Sequence, residues 1–515
     1  MTLRSQGPGR RLVAVLLCLL AAAAPAQALA NDATSIAALA QAAKPVPLSL
    51  KFMVERLLSS NRTVLSKQYE GEIAATGIDR AQAAFQPAAT VSAQNGRSLT
   101  LNTVEEKLVR SNTDVYDKYG QDYSLGLSQL LASGAKVEGK VTLSRFATNL
   151  VKDQMSPEGR YNRSYYGVGV TQPLARDAGT QVTMARLRQA ELDTAAAQHA
   201  NRDTESSVAA DAVLSYFDWS LAQQRVALAM EKIAMGERLL ALARNLSRLG
   251  RLPQSDVWEV ENALIRYQAS VSEARQAELE RVNKIRTLLM ATVDDLPDLL
   301  KATEALPTVK LEPLELQDSL ALALQRREDL RLRKTLLQRE GIQVAYATNQ
   351  ALPRIDLVAS YGLNGLSMSA YTAFSRPATA PFSSFSVGLQ MSLPLGENKQ
   401  ARADLAAALV RQKDALLAIK ALEVSIANDV ETSAGLLQSS VQRWTLGRET
   451  LQREQQQLEL EHKRLASGRS DFREILTREE RVINARLGLI EQQVAYARAE
   501  ALLQAAQGTL MERFR

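Results

Sequence analysis

Two periodicities alternate along the chain. In SFSVGLQMSLPL, Phe385, Val387, Leu389, Met391 and Leu393 alternate strictly with Ser384, Ser386, Gly388, Gln390 and Ser392. One apolar and one polar face at period two predicts a strand whose two sides meet different environments. RIDLVASY repeats the pattern through Ile355, Leu357, Ala359 and Tyr361, and SYYGVGVTQPL through Tyr166, Val168 and Val170. Elsewhere the period is helical. Met235, Leu239, Leu242, Leu246 and Leu249 step by 4, 3, 4 and 3, Leu451, Leu458 and Leu465 by sevens, and Leu476, Ile483, Leu487, Ile490 and Val494 by 7, 4, 3 and 4. These stripes predict helices packed as coiled coils.

The pattern occurs twice. PLSLKFMVERLLSSN begins at Pro47 and PLELQDSLALALQRR at Pro313, an offset of 266 that also pairs Pro87 with Pro353 and Gly96 with Gly362. Two halves of one architecture follow. Each opens with a helical segment, about 48–86 and about 314–352, closed by a proline that cannot continue it. Strands come next, left through Gln172-Pro173-Leu174 and Leu393-Pro394-Leu395. A long helical pattern follows, about 180–249 and 399–466, reaching on the order of 100 Å. It breaks at Gly250 in RLGRLPQSDVWEV and at Gly468 in RLASGRSDFREIL, then resumes for about forty residues. The lengths match if each long helix lies against two shorter ones placed end to end, so each half predicts a long hairpin hung from a small sheet. The divisions are 1–30, 31–289, 290–313 and 314–515. The third, with Asp294-Asp295 and three prolines, is expected to be an equatorial joint with side-domain character.

Pro87 to Pro173 spans 86 residues and Pro353 to Pro394 only 41, so the first half carries 45 more. Within them DYSLGLSQLLASGAKVEGKVTLSR, residues 122–145, reads as a further hairpin turning at Ser133-Gly134. It either extends the sheet or folds as an outward loop. The fold class is mainly α with β: a duplicated helical hairpin with four strands per chain, or six if that hairpin joins.

Composition narrows the function. Beyond residue 30 the chain is rich in Ala, Leu, Gln, Glu and Arg, and the whole sequence has nine Phe and three Trp, favouring long helices over an aromatic core. Arg4, Arg10 and Arg11, the apolar run Leu12–Ala24 and Ala28-Leu29-Ala30 read as a cleavable secretory signal, giving a mature chain from near Asn31. Cys18, the one cysteine, lies in that run after Leu17, which is not the small residue a lipoprotein site needs. The mature part then has no cysteine and only His199 and His462, expected as surface or coil positions. Disulfides and thiolate metal sites are excluded, no cofactor is expected, and an enzyme is disfavoured.

Without the three signal arginines the formal net charge falls from +6 to +3, and no basic block stands out, so nucleic acid is not a partner. No run of eighteen apolar residues follows the signal, so membrane entry has to be by strands. Four strands cannot close a barrel, and lipid does not tolerate an open edge. Two copies would give eight strands around a filled interior, whereas three give twelve around a lumen, so a homotrimer in lipid is expected. The alternative, a secreted coiled-coil structural or adhesion protein without a channel, explains the heptads but not the strand pairs bracketed by prolines. A periplasmic adaptor would carry one hairpin between sandwich domains.

The duplicated helix-Pro-strand opening, Gln172-Pro173-Leu174 with Ala178-Gly179, the breaks at Gly250 and Gly468, and the opening Leu316 to Leu324 resemble, in order and spacing, the TolC-like outer-membrane efflux protein family over nearly the whole mature length. The resemblance implies a trimer with a twelve-stranded barrel in the outer membrane of a Gram-negative bacterium and a helical tunnel across the periplasm. It also implies cargo delivered by an inner-membrane pump, of RND or ABC type, through a periplasmic adaptor. Hairpin tips would close the periplasmic mouth, with Gly250, Arg251 and Gly468 as tip and adaptor-contact positions and acids beyond the tip ringing the aperture. The family pattern D-V-L-D falls on Glu474-Ile475-Leu476-Thr477, keeping the first acid and losing the second at Thr477. In the first half it falls on Asp256-Val257-Trp258-Glu259, keeping both. Glu474 and Asp256 are the expected closure residues, with Arg469, Arg473 and Arg251 as partners across helix interfaces. The same spacing, Asp471-x-x-Glu474 and Asp256-x-x-Glu259, also fits a capping box with Asp as cap.

Overall fold

The computed structural model describes residues 46–110, 112–149, 160–296, 300–311, 315–379, 382–467, 469 and 472–514; the expected signal segment, Gly468 and Asp471 lie outside them. The opening helical segment of each half is two helices. α1 (Leu50–Ser60) and α2 (Arg62–Gln82) meet at Asn61, and much later in the chain α7 (Leu316–Arg326) and α8 (Glu328–Gln350) meet at Arg327. Asn61 and Arg327 are themselves 266 residues apart, so the repeat includes the elbow.

An unbroken helix was the expectation over these segments, and the polar side chains explain the difference. Asn61 takes an extended backbone, its Oδ1 accepts the Thr63 N–H at 2.9 Å, and its Nδ2 donates to the Leu288 carbonyl at 2.8 Å. A short amide that satisfies a new helix start competes with helix continuation. At the second elbow Arg327 pairs with Asp329 at 2.7 Å and Asp429 at 3.0 Å.

β2 (Ala88–Leu101) follows α2, and a capped turn, α3 (Val104–Val109), leads to β3 (Val115–Leu130), β4 (Lys136–Thr148) and β5 (Arg160–Pro173). In the second half β7 (Arg354–Ser367), α9 (Ala370–Thr379) and β8 (Phe382–Ser392) follow α8. All six long strands form one antiparallel sheet in the order β2-β3-β4-β5-β7-β8. Residues 122–145 therefore extend the sheet, with β3 pairing β4 from Lys118↔Thr148 to Leu130↔Lys136. The sheet has six strands where the clearest patterns indicated four.

Below the sheet, a short α4 (Thr180–Thr183) precedes α5 (Ala185–Arg248), 64 residues long, which returns as α6 (Gln254–Leu289). α10 (Lys399–Ala466), 68 residues, returns as α11 (Phe472–Gln507). α5 packs against α6 over one part of its length and against α2 and α8 over the rest, and α10 packs likewise against α11 and α8. One long helix beside two shorter ones end to end is the arrangement the lengths required.

Midway along the helices β1 (Val46–Leu48) pairs in parallel with β6 (Leu300–Ala302) over a core of Leu50, Met53, Leu57, Tyr216, Phe217, Trp219 and Ile285. Tyr216 donates its hydroxyl to the Leu48 carbonyl at 3.1 Å and stands edge-on to Trp219, ring centroids 5.6 Å apart. Tyr216, Phe217 and Trp219 are among the largest fully buried side chains of the chain. A second core, with Met235, Leu239, Val257, Val260, Phe472 and Ile475, fills the far ends of both hairpins.

Candidate functional site

The hairpin tips are built by one device. α5 ends with Gly250 in the left-handed region, φ +70°, and the Arg251 N–H reaches back five residues to the Leu246 carbonyl at 2.9 Å. That closure satisfies a carbonyl the helix end would otherwise orphan, and the left-handed residue in it favours glycine. The Arg469 N–H makes the equivalent bond to the Arg464 carbonyl at 2.9 Å at the end of α10. Nothing lies within 4 Å of where a Cβ on Gly250 would sit, so only backbone strain opposes a side chain there. Gly250→Ala is expected to cost the hairpin about 1–2 kcal/mol and Gly250→Asn clearly less, both read from thermal melts of the helical circular dichroism signal.

Beyond the tip the two hairpins of one chain are stapled to each other. Phe472, Ile475 and Leu476 of α11 lie buried against Val257 and Val260 of α6 and Leu239 of α5. Polar pairs run along this seam: Arg225 with Glu491 at 2.6 Å, Arg486 with Glu231 at 2.8 Å, and Lys232 with Asn484 at 2.9 Å. Nearer the tip the Tyr267 hydroxyl donates to Glu480, and Arg473 meets Glu259 at 2.8 Å. Burial, and then the adjacent Glu480 carboxylate, push the Tyr267 hydroxyl well above its ordinary range, so it remains a donor.

The sheet has two unlike faces. Through the register, Val91, Leu125, Leu127, Val141, Leu143, Val168, Val170, Leu357, Tyr361, Phe385, Val387 and Leu389 share one face. Among them Val91, Leu127, Val168, Phe385, Val387 and Leu389 are more than half exposed, an apolar belt left uncovered by the described residues. The opposite face carries Ser92, Ser124, Lys140, Thr142, Ser360, Ser384, Ser386 and Gln390. Cross-strand hydroxyl pairs link Ser92 to Ser124 at 2.7 Å and Ser360 to Ser386 at 2.8 Å. Tyr165 lies on this face over Gly167 and Gly362, in the space a Cβ would need. Apolar outside and polar inside is the pattern of a lipid-facing barrel wall. Toward the distal end the outer face becomes polar, and there α9 covers it: Ser164 Oγ donates to the Ala373 carbonyl at 2.5 Å and Tyr166 to the Phe374 carbonyl at 2.9 Å.

Residues 320–509 match the family model for outer membrane efflux proteins. Among solved structures, the outer-membrane channel OprN aligns with TM-score 0.62 and 18% identity over 89% of this chain and 90% of its own. The CmeC outer membrane channel of Campylobacter jejuni gives 0.62 and 14% over 90% and 86%. The open state of the Neisseria gonorrhoeae MtrE outer membrane channel gives 0.60 and 16% over 90% and 89%. No curated protein sequence gives a match. Residues 320–509 thus carry the sequence signature of outer membrane efflux proteins, and about nine-tenths of the chain has the fold of TolC-like outer-membrane channels. That family and those solved structures are outer-membrane transport channels.

The residues counted from the family pattern fall unequally within this channel fold. Glu259 and Arg473 are brought together across the two hairpins. Glu474 instead pairs along its own helix with Arg478 at 2.7 Å, and Arg478 also meets Gln457 of α10. Thr477 Oγ1 donates to the Arg473 carbonyl at 3.0 Å, the ordinary back-bond of a threonine inside a helix. Asp256 accepts from Ser255 Oγ at 3.2 Å and meets none of the candidate arginines among the described contacts. The first-half capping box does not form: α6 starts at Gln254 behind Pro253, with no side-chain cap, so Asp256 is a first-turn acid favoured by the helix dipole. The cap falls at Pro253, three residues ahead of the Asp256 that the spacing argument requires. The second box lies outside the described residues.

Tyr267 and Glu480 were missed by counting from the glycine. Their signal was present in the stripe Val260, Ala263, Tyr267, Val271, where one buried apolar position carries a hydroxyl that needs a partner.

Neither histidine sits in a metal-ligand cluster among the described residues. His199 Nδ1 lies 2.6 Å from Glu328 Oε2, and His462 lies 3.6 Å from Glu479. A cavity of about 740 Å³ opens at the second elbow, lined by Arg202, Asp203, Arg327, Glu328, Asp429 and Glu512 among others. Burial, with Asp329 adding to it, raises the Asp203 carboxyl above the usual range. Several of its charges pair with one another: Arg327 with Asp429, Arg326 with Glu512 and Arg331 with Glu328.

Proposed function

We propose that three copies of the chain form a passive export conduit, with cargo entering at the hairpin tips and leaving through the sheet-built barrel. The observation that carries this is the sheet: β2 and β8 are both unpaired edges, and the apolar belt runs across them without interruption. Edges of that length in lipid have to be paired by other copies. The edges run antiparallel to each other because the sheet has an even number of strands, so β8 of one copy can pair with β2 of the next around a ring. No bond is made or broken, and the driving energy belongs to partners. Those partners are an inner-membrane pump, of RND or ABC type, and a periplasmic adaptor that meets the tips near Gly250, Arg251 and Gly468. The seam at Glu259–Arg473 and Tyr267–Glu480 holds the mouth in its narrow state.

The test is single-channel recording on the purified protein in a planar bilayer, with its mass in detergent measured alongside. Discrete conductance steps from a species of three chains are expected. A protein of three chains that leaves the bilayer electrically silent, under voltage and at acidic and neutral pH, would overturn the conduit.

A further inference from the structure

We infer that the β3–β4 hairpin crosses the membrane, so that three chains close an eighteen-stranded barrel wide enough for cargo about 25 Å across; this rests on the three-copy reading above. The hairpin is not an appendage of the sheet. It lies between β2 and β5, bonded to β2 from Ala88↔Ser128 to Leu101↔Val115 and to β5 from Lys136↔Thr171 to Ala147↔Arg160. Lifting it outward would strip β2 of its one neighbour among the described strands of this chain.

Its alternation matches its surroundings. Leu125, Leu127, Val141 and Leu143 share the apolar face with Val168 and Val170, Leu127 level with Val168 and Leu125 and Val141 level with Tyr166, while Ser124, Ser128, Lys140 and Thr142 turn to the polar face. An outward loop in water would have no need of one continuous apolar face.

Its turn is fixed independently. Residues 131–135 lie at the helical end of the sheet, where the Gly179 N–H donates to the Ser133 carbonyl at 3.1 Å. Gly134, at φ +90°, sits so close that a Cβ would fall 2.5 Å from the Asp177 carbonyl oxygen. A tight turn docked at the helical end, with β3 and β4 each thirteen or more residues long beyond it, is the layout of a membrane-spanning hairpin.

Width follows from count. With neighbouring strands about 4.8 Å apart and tilted by about 40°, eighteen strands make a barrel about 36 Å across at the backbone and twelve about 24 Å. Allowing about 5 Å of side chain on each side leaves lumens of about 26 Å and about 14 Å. Two copies of this chain would supply twelve strands and three supply eighteen, so copy number and hairpin placement can be tested separately.

In a Cys18→Ser background, single nitroxide labels at Leu127→Cys and Val141→Cys are compared with Val387→Cys on β8 in lipid vesicles. Relaxation by oxygen should exceed that by a water-soluble nickel chelate at all three sites. Nickel dominating at 127 and 141 while 387 remains lipid-like would place the hairpin outside the bilayer and overturn the inference with the conduit intact. Native mass of two chains would overturn the eighteen strands through the copy number. Polyethylene glycols added from the barrel side should lower single-channel conductance up to hydrodynamic diameters of about 20 Å or more, whereas a cut-off near 14 Å would overturn the wide exit.

Discussion

Glu259→Gln should raise the leak conductance of the reconstituted channel about tenfold. The Glu259–Arg473 bridge is 2.8 Å long but well exposed, with 63% of the Arg473 side chain open to solvent. Solvent screening therefore holds one such pair to about 0.5 kcal/mol. Three copies opening together would lose about 1.5 kcal/mol of closing free energy, and each 1.4 kcal/mol is a factor of ten. The multiplication by symmetry is what makes a weak bridge measurable. Arg473→Ala should match it, and the swap Glu259→Arg with Arg473→Glu should return conductance most of the way to the starting value. High salt should shrink the difference between the native protein and Glu259→Gln, because the pair is screened. Glu474→Ala, by contrast, breaks a pair along one helix and should leave the leak nearly unchanged. Equal leaks from Glu474→Ala and Glu259→Gln would show that the seam between hairpins is not what holds the mouth.

The second large effect is expected midway along the helical body. Trp219 is fully buried, edge-on to Tyr216, and Trp219→Ala removes the largest side chain of the core beneath β1 and β6. Such truncations cost about 3–5 kcal/mol, since the transfer loss is joined by a cavity the surroundings only partly fill. The indole N–H has no hydrogen-bond partner among the described residues, so Trp219→Phe removes an unpaired donor along with some volume and should recover much of that loss. Thermal melts of helical circular dichroism, with limited trypsin digestion of the hairpins, would report both. Trp219→Phe as damaging as Trp219→Ala would mean that the ring packing described here does not carry the stability.

Local periodicity made most of the architecture readable. A strand at period two and a helix at 3.6 differ within a few residues, so Phe382–Ser392, Arg354–Ser367 and the four long hairpin helices could be seen without any partner segment. The duplication was readable for the same reason, since a fixed offset needs no geometry. The elbows at Asn61 and Arg327 were less visible, because one polar side chain bending a helix competes with a helical pattern on both sides of it.

The contacts between hairpins were hidden. Glu259, Glu474 and Asp256 are alike in sequence: acids just beyond a glycine, each able to cap, to line a mouth or to pair. Which one meets an arginine of the other hairpin depends on how residues more than two hundred positions apart are rotated toward each other, and no local pattern encodes that angle. Packing of Phe472 and Ile475 against Val257 and Val260 sets it, bringing Arg473 to Glu259 and leaving Glu474 to Arg478.

The place of residues 122–145 is the same kind of question. Alternation announced a hairpin, yet an alternating strand can sit at an edge, in a loop or within a sheet. Only the docking of its turn at Gly134 and its pairing with β2 and β5 put it inside the wall. Elements and their repetition were thus set by forces acting over a few neighbouring residues. The pairs between hairpins and the number of strands in the sheet were set by contacts between distant segments, which exist only once those elements have packed.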